Sequence, residues 1–145
     1  MSMIIRQILD RKGWSVVALK RRELVPFVAK FLTENKIGAA PVVDENGRIL
    51  GMLSERDIMR LVGEMGNEIC RQTAEDIMTP LVATCTPEDT VTHVMGIMTG
   101  LRCRHIPVLE GGVLRGLVSI GDLVKSQLAE DEFEISSMRA YITAT

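Results

Sequence analysis

The chain has 145 residues, 46% of them apolar and 25% charged, with a formal net charge of −2. Those values fit a soluble globular domain or two tightly fused halves. They give no electrostatic case for nucleic acid, which usually needs a basic face, and one Trp, one Tyr and three Phe make a poor platform for stacking single-stranded bases. Cys70, Cys85 and Cys103 form no C-x-x-C, which argues against a disulfide framework or a zinc site and for a reducing compartment. The start lacks the apolar core of a secretion signal, and no apolar run approaches the roughly 18 residues that span a bilayer. A cytoplasmic protein without membrane contact is expected.

In chain order, residues 6–25, "RQILDRKGWSVVALKRRELV", hold a short helical turn, a loop with Trp14, and a strand-like run, Val16-Val17-Ala18. Lys20, Arg21 and Arg22 precede the next helix start, where cations oppose the helix dipole. They are expected to be solvated or else to face an acidic partner. Val25, Val28, Phe31 and Leu32 fall on one face of an amphipathic helix. Pro41 opens the run Val42-Val43, Asp44-Glu45-Asn46-Gly47 turns the chain, and a second apolar run returns; this is a hairpin signal. The hairpin ends in "GMLSERD" (51–57), and "DIMRLVGEM" continues as a helix.

The order then repeats. "EDIMTPLVATCTPEDTV" (75–91) mirrors residues 6–25, with Val82-Ala83-Thr84 in place of Val16-Val17-Ala18. Val91, Val94, Met95 and Met98 form the second amphipathic face. Pro107 opens Val108-Leu109, Gly111-Gly112 turns the chain, and "GLVSIGD" (116–122) repeats Gly-x-x-Ser-x-x-Asp 65 positions after its first copy. Each half reads as strand, helix, strand, strand, helix. Neither half is long enough to bury a good core alone, so the two should pack as one unit. On the C-terminal helix Val124, Leu128, Ile135, Met138 and Ile142 form an apolar stripe opposite the acidic "AEDEFE". Such a stripe is more often buried against a partner than left in water.

Ser-x-x-Asp between a strand and a helix is a capping box, the Ser hydroxyl accepting from the Asp amide. The same geometry suits a ligand. A helix N-terminus offers free amides and the positive end of a dipole. Ser54 or Ser119 adds a donor. Asp57 or Asp122 can accept from two vicinal hydroxyls, as an acidic residue does for ribose in dinucleotide folds. Gly51 and Gly116 would permit close backbone approach.

The twofold pattern of h-P-h-h…G-h-h-[ST]-x-x-D, running from about Arg6 to Val124, resembles a tandem pair of CBS domains, a Bateman module. The resemblance implies a mixed α/β fold of two βαββα-type repeats related by a pseudo-two-fold axis. The repeats would span 1–66 and 67–126, with 127–145 a helical extension contacting a dimer partner. It further implies a non-catalytic regulatory module, a disc-like homodimer, whose clefts between the repeats bind an adenosine nucleotide: AMP, ADP, ATP or NAD(H). Alternatives are a sensor of S-adenosylmethionine and a structural dimeriser with empty clefts. By the resemblance Asp57 and Asp122 contact ribose, and Ser54 and Ser119 contact phosphate. Val16, Val17 and Ala18, with Val82, Ala83 and Thr84, flank the adenine. Ala39, Ala40 and Pro41, with Ile106 and Pro107, line the clefts.

Arg56 stands where a side chain can swing to a phosphate, and its counterpart is Gly121. Arg104, His105 and Ile106 precede Pro107, where the first copy has Gly38-Ala39-Ala40 before Pro41. The expectation is that Arg56 neutralises phosphate in one cleft and Arg104 or His105 in the other. A lone His beside an apolar residue is more often structural, and Trp14 either stacks on adenine or packs within the fold or a dimer contact. No His, Cys and carboxylate set has metal-ligand spacing, and no nucleophile–base–orienter set is visible. No metal or catalytic cofactor is expected, and the downstream target of such a module is left open.

Overall fold

The computed structural model describes residues 3–81 and 83–144. The first repeat runs α1 (Ile5–Lys12), β1 (Leu19–Lys20), α2 (Val25–Glu34), β2 (Ala39–Val43), β3 (Ile49–Ser54) and α3 (Glu55–Met65). A 3-10 turn over Gly66–Arg71 leads to the second: α4 (Ala74–Ile77), β4 (Thr79–Pro80), α5 (Val91–Leu101), β5 (His105–Glu110), β6 (Val113–Ser119) and α6 (Ile120–Ala144).

Both expected hairpins form, and their turns follow from their residues. Between β2 and β3, the Asp44 carboxylate accepts from the amides of Asn46 and Arg48, both at 2.9 Å, and Gly47 takes φ +79°. Between β5 and β6, Gly111 and Gly112 both have positive φ, as a two-residue type I′ turn requires. β1 joins β2 in parallel, with Leu19 beside Val42. In the second repeat that strand shrinks to a single parallel bridge, Cys85 beside Val108. β4 is not its counterpart: it pairs antiparallel with β3, giving the sheet order β1-β2-β3-β4 beside a two-stranded β5-β6 sheet.

Packing crosses the boundary between the sequence halves. Ile5, Ile8 and Leu9 of α1 lie in the core of the second repeat, with Val91, Val94, Met98, Ile106, Val108, Val118 and Leu123. Ala74 and Ile77 of α4 lie in the core of the first, with Leu19, Val25, Val28, Leu32, Val42 and Leu53. Backbone bonds fasten each exchange in matching fashion. Val91 N–H donates to Met3 and Ile5 N–H to Asp89; Val25 N–H donates to Gln72 and Ala74 N–H to Glu23. A buried Leu or Ile side chain contributes about 1.5–3 kcal/mol, so each repeat completes its core with residues from the other.

Ion pairs flank the same junctions. Arg6 Nη2 reaches Glu110 Oε2 at 2.8 Å and Arg6 Nε reaches Glu88 at 3.0 Å. Arg21 grips Glu75, its Nη2 3.0 Å from Oε1, and lies near Glu45. Arg21 is thus paired within the chain, which corrects the expectation that the whole Lys20-Arg21-Arg22 cluster is solvated or faces a partner. Trp14 is likewise engaged internally. Its Nε1 donates to Asp10 Oδ1 at 2.8 Å, and the guanidiniums of Arg6 and Arg115 lie over its ring at 5.4 and 5.5 Å. The expected alternative, a surface for stacking adenine, gives way to packing.

The two motif glycines also serve packing. A Cβ on Gly51 would stand 2.4 Å from the Thr79 carbonyl oxygen of β4, and one on Gly116 2.9 Å from the Leu9 side chain of α1. The close approach that sequence assigned to a ligand is made by the exchanged segments. Gly51→Ala is therefore expected to destabilise by about 1–3 kcal/mol. Gly96→Ala, in the interior of α5 with nothing near the added methyl, should stabilise by about 0.5–1 kcal/mol. Urea unfolding of both variants checks this; equal effects would contradict the role of β4.

Candidate functional site

The Ser-x-x-Asp segments sit where β3 enters α3 and β6 enters α6, and both close as capping boxes. Asp57 N–H donates to Ser54 Oγ at 3.2 Å, and Asp57 Oδ2 accepts from Ser54 N at 2.9 Å and Ser54 Oγ at 3.0 Å. Asp122 N–H donates to Ser119 Oγ at 3.1 Å, and Asp122 Oδ2 accepts from Ser119 N at 2.8 Å. Capping occupies one oxygen of each carboxylate. Asp57 Oδ1 is left with only Arg60, 3.7 Å away along the same helix.

Beside the first motif a cleft of about 490 Å³ opens between the repeats. Gly38, Ala39, Met52, Ser54, Glu55, Arg56 and Asp57 line one side. Leu101, Arg102, Cys103, Arg104, His105 and Pro107 line the other, and Thr79, Pro80, Leu81 and Ala83 form an end. Arg56 therefore shares a cleft with Arg104 and His105. That corrects the expectation of one cation set per cleft: the antiparallel arrangement of the repeats brings the start of α3 against the start of β5. Among the described residues, neither Arg56, Arg102 nor Arg104 forms an ion pair with a carboxylate. Three guanidiniums without a carboxylate ion pair thus share a cleft with the start of α3, which also brings Glu55 and Asp57 to its wall; such an arrangement can hold an anion.

Several expected residues lie elsewhere. Strand alternation turns Ala40 and Ile106 inward, where both are fully buried in the two cores; Pro41 is buried outside the cleft wall. Thr84, Val16, Val17 and Ala18 do not line this cleft, and Val82 lies outside the described residues. Ser119 and Asp122 belong to the other side of the pseudo-axis, where the Lys12 ammonium lies 2.6 Å from Asp122 Oδ2. Burial alone would raise the Asp122 pKa, but Lys12 and the Ser119 amide hold it below the usual carboxylate range.

Arg102, which is not among the residues expected in the cleft, enters the site through the backbone. It caps α5 with φ +54°, and Lys36, at the same repeat position, has φ +55°. Glycine normally fills such a left-handed cap, so a cation retained twice in this conformation was the available signal. Cys85 belongs to the second core, and burial pushes its thiol up to about 12. Among the described residues no group of three or more His, Cys, Asp or Glu side chains could hold a metal. No helix among them is long and apolar enough to cross a membrane.

A family model described as "CBS domain" matches residues 5–64 and again 74–129. The chain belongs to the CBS-domain family. This CBS pair is 37% identical over 117 residues to the mitochondrial CBS domain-containing protein CBSX3 of Arabidopsis thaliana, covering 78% of the chain but 57% of that relative. It thus spans just over half the length of that curated protein. The crystal structure of the CBS-domain protein ATU1752 from Agrobacterium tumefaciens superposes with a TM-score of 0.82 at 39% identity, covering 88% of this chain and 95% of the other. CBSX2, solved in complex with AMP, superposes with a TM-score of 0.73 at 21% identity over 89% of this chain and 98% of its own.

His105 contributes a pH dependence to the stability of the CBS pair. It is partly buried between the cleft and the Lys12–Asp122 pair, and burial lowers its pKa below 6.5, as do Lys12 and Arg104, against the pull of Asp122. The native state thus prefers neutral imidazole, and the unfolded chain takes up its proton first as pH falls. The resulting stability is complete above pH 6.5 and is lost below it, down to the folded-state value, with a slope of at most about 1.4 kcal/mol per pH unit. In urea titrations between pH 7.5 and 5, His105→Gln should lack this component; parallel wild-type and variant profiles would contradict it.

Proposed function

We propose that this CBS pair is a regulatory module that binds an adenosine nucleotide, AMP first, in the cleft between Asp57 and Arg104. The carrying observation is the meeting, in one cleft, of an Asp57 oxygen not used in capping with three guanidiniums that, among the described residues, form no ion pair with a carboxylate. Asp57 Oδ1 accepts from the ribose hydroxyls. Ser54 and the first amides of α3, with Arg56, Arg102 and Arg104, receive the phosphate. Ala39, Ala83 and Pro107 give apolar contact to the base. The AMP complex of the structural neighbour CBSX2 supports the adenosyl class. In this reading the module signals by occupancy.

Thermal unfolding against AMP, ADP, ATP, NADH and S-adenosylmethionine tests the reading, since a ligand bound only by the native state raises the midpoint. The rise with AMP should shrink in Asp57→Asn and Arg104→Ala. A hydrogen bond to a charged group contributes about 1.5–3 kcal/mol, so each variant should bind roughly tenfold to a hundredfold more weakly. A midpoint that none of the five compounds moves would leave Ser54 and Asp57 as a helix cap alone.

The module acts as a homodimer in this reading. Phe27, Met59 and Val62 on the first repeat and Leu101, Val124 and Leu128 on the second are exposed. Met59 and Val124 hold the same repeat position, 65 residues apart. A pair of apolar faces related by the pseudo-axis suits a two-fold, self-complementary contact. Ile135 and Met138 extend it along α6. Sedimentation equilibrium should give a dimer, and Met59→Glu with Val124→Glu a monomer; a wild-type monomer at every concentration sinks the dimer.

A further inference from the structure

The two Ser-x-x-Asp sites have the same cap but different neighbours. At the first, Asp57 faces an open cleft, and the segment approaching from the other repeat, Thr79–Leu81, carries no charge. At the second, α1 ends by placing Lys12 on the motif. Its ammonium donates to Asp122 Oδ2 at 2.6 Å and to the Leu117 carbonyl at 2.8 Å. The Asp122 side chain is 25% exposed and the Lys12 side chain 40%. Gly13, with φ +108°, follows immediately and turns the chain away toward β1.

We infer that Lys12 is a built-in competitor that keeps the second motif from binding nucleotide, so that each chain has one working cleft. The inference rests on the reading of the first cleft as a nucleotide site. Lys12 lies on Oδ2, the oxygen the cap already uses. It acts on the carboxylate as a whole, neutralising its charge and standing beside it through a charge-assisted bond about twice as strong as a neutral one, from a group tethered to α1 and therefore present at a high effective concentration. The carbonyl of Leu117 supplies a second anchor that holds the ammonium against the motif. Among the described residues, Asp57 has one ion pair, with Arg60 of its own helix at the longer distance of 3.7 Å, and no cation from the other repeat is paired with it. Occupying the second site requires Lys12 to leave, and Lys12 stands one turn from Leu9, a fully buried member of the second core.

Isothermal titration with AMP, ADP, ATP and S-adenosylmethionine tests the inference by stoichiometry. Wild type should bind one equivalent per chain, weakened roughly tenfold to a hundredfold in Asp57→Asn. Lys12→Met, which keeps the aliphatic stem without the charge, should bind two. Lys12→Met combined with Asp57→Asn should retain one unweakened. Lys12→Gln serves as a second variant, and an unchanged thermal midpoint without ligand shows that either variant is folded. Two equivalents in wild type, or one in both folded Lys12 variants, overturns the role of Lys12 while the first cleft stands. No binding of any of the four compounds to any variant overturns the nucleotide reading and this inference together.

Discussion

The structure depends on an exchange of short segments between the repeats. α1 completes the second core and α4 the first, each fastened by paired backbone hydrogen bonds at Met3–Val91 and Gln72–Val25. Neither repeat can bury its apolar face without the other's helix. The two motif glycines fit this exchange, since a side chain at Gly51 would strike the Thr79 carbonyl and one at Gly116 would strike Leu9.

The exchange also builds the candidate site. Crossing the pseudo-axis sets the start of α3 beside the start of β5, so that Ser54, Arg56 and Asp57 face Arg102, Arg104 and His105. The same crossing leaves the end of α1 beside the second motif, where Lys12 meets Asp122. A repeat that looks symmetric along the chain thus carries one charge arrangement that invites an anion and another that neutralises itself. The asymmetry arises from a few side chains: Arg56 against Gly121, Arg104-His105 against Gly38-Ala39, and Lys12 against the uncharged β4.

Much of this was legible in the residues. Pro41 and Pro107 led into hairpins, Asn46-Gly47 and Gly111-Gly112 turned them, and Ser54 and Ser119 capped the helices that followed, because each signal acts within a few residues. The amphipathic faces of α2 and α5 were readable for the same reason. The partners of Arg21 and Trp14 were not. The Arg21–Glu75 and Arg6–Glu110 pairs join residues far apart in the chain, and no local pattern encodes them. Ala40 and Ile106 were assigned to the cleft from their place before or beside a proline, yet strand alternation turns both into the cores.

The sequence by itself determined the twofold βαββα plan, the hairpins, the capped Ser-x-x-Asp helices and the family, all carried by short-range chemistry repeated twice. Only the tertiary structure decided which helix completes which core, which cations share a cleft with Asp57, and that Asp122 already has a cation of its own. Those outcomes are set by contacts across 80 to 110 positions, such as Arg6 with Glu88 and Lys12 with Asp122. They depend on how two sheets and their exchanged helices pack, which no spacing along the chain records.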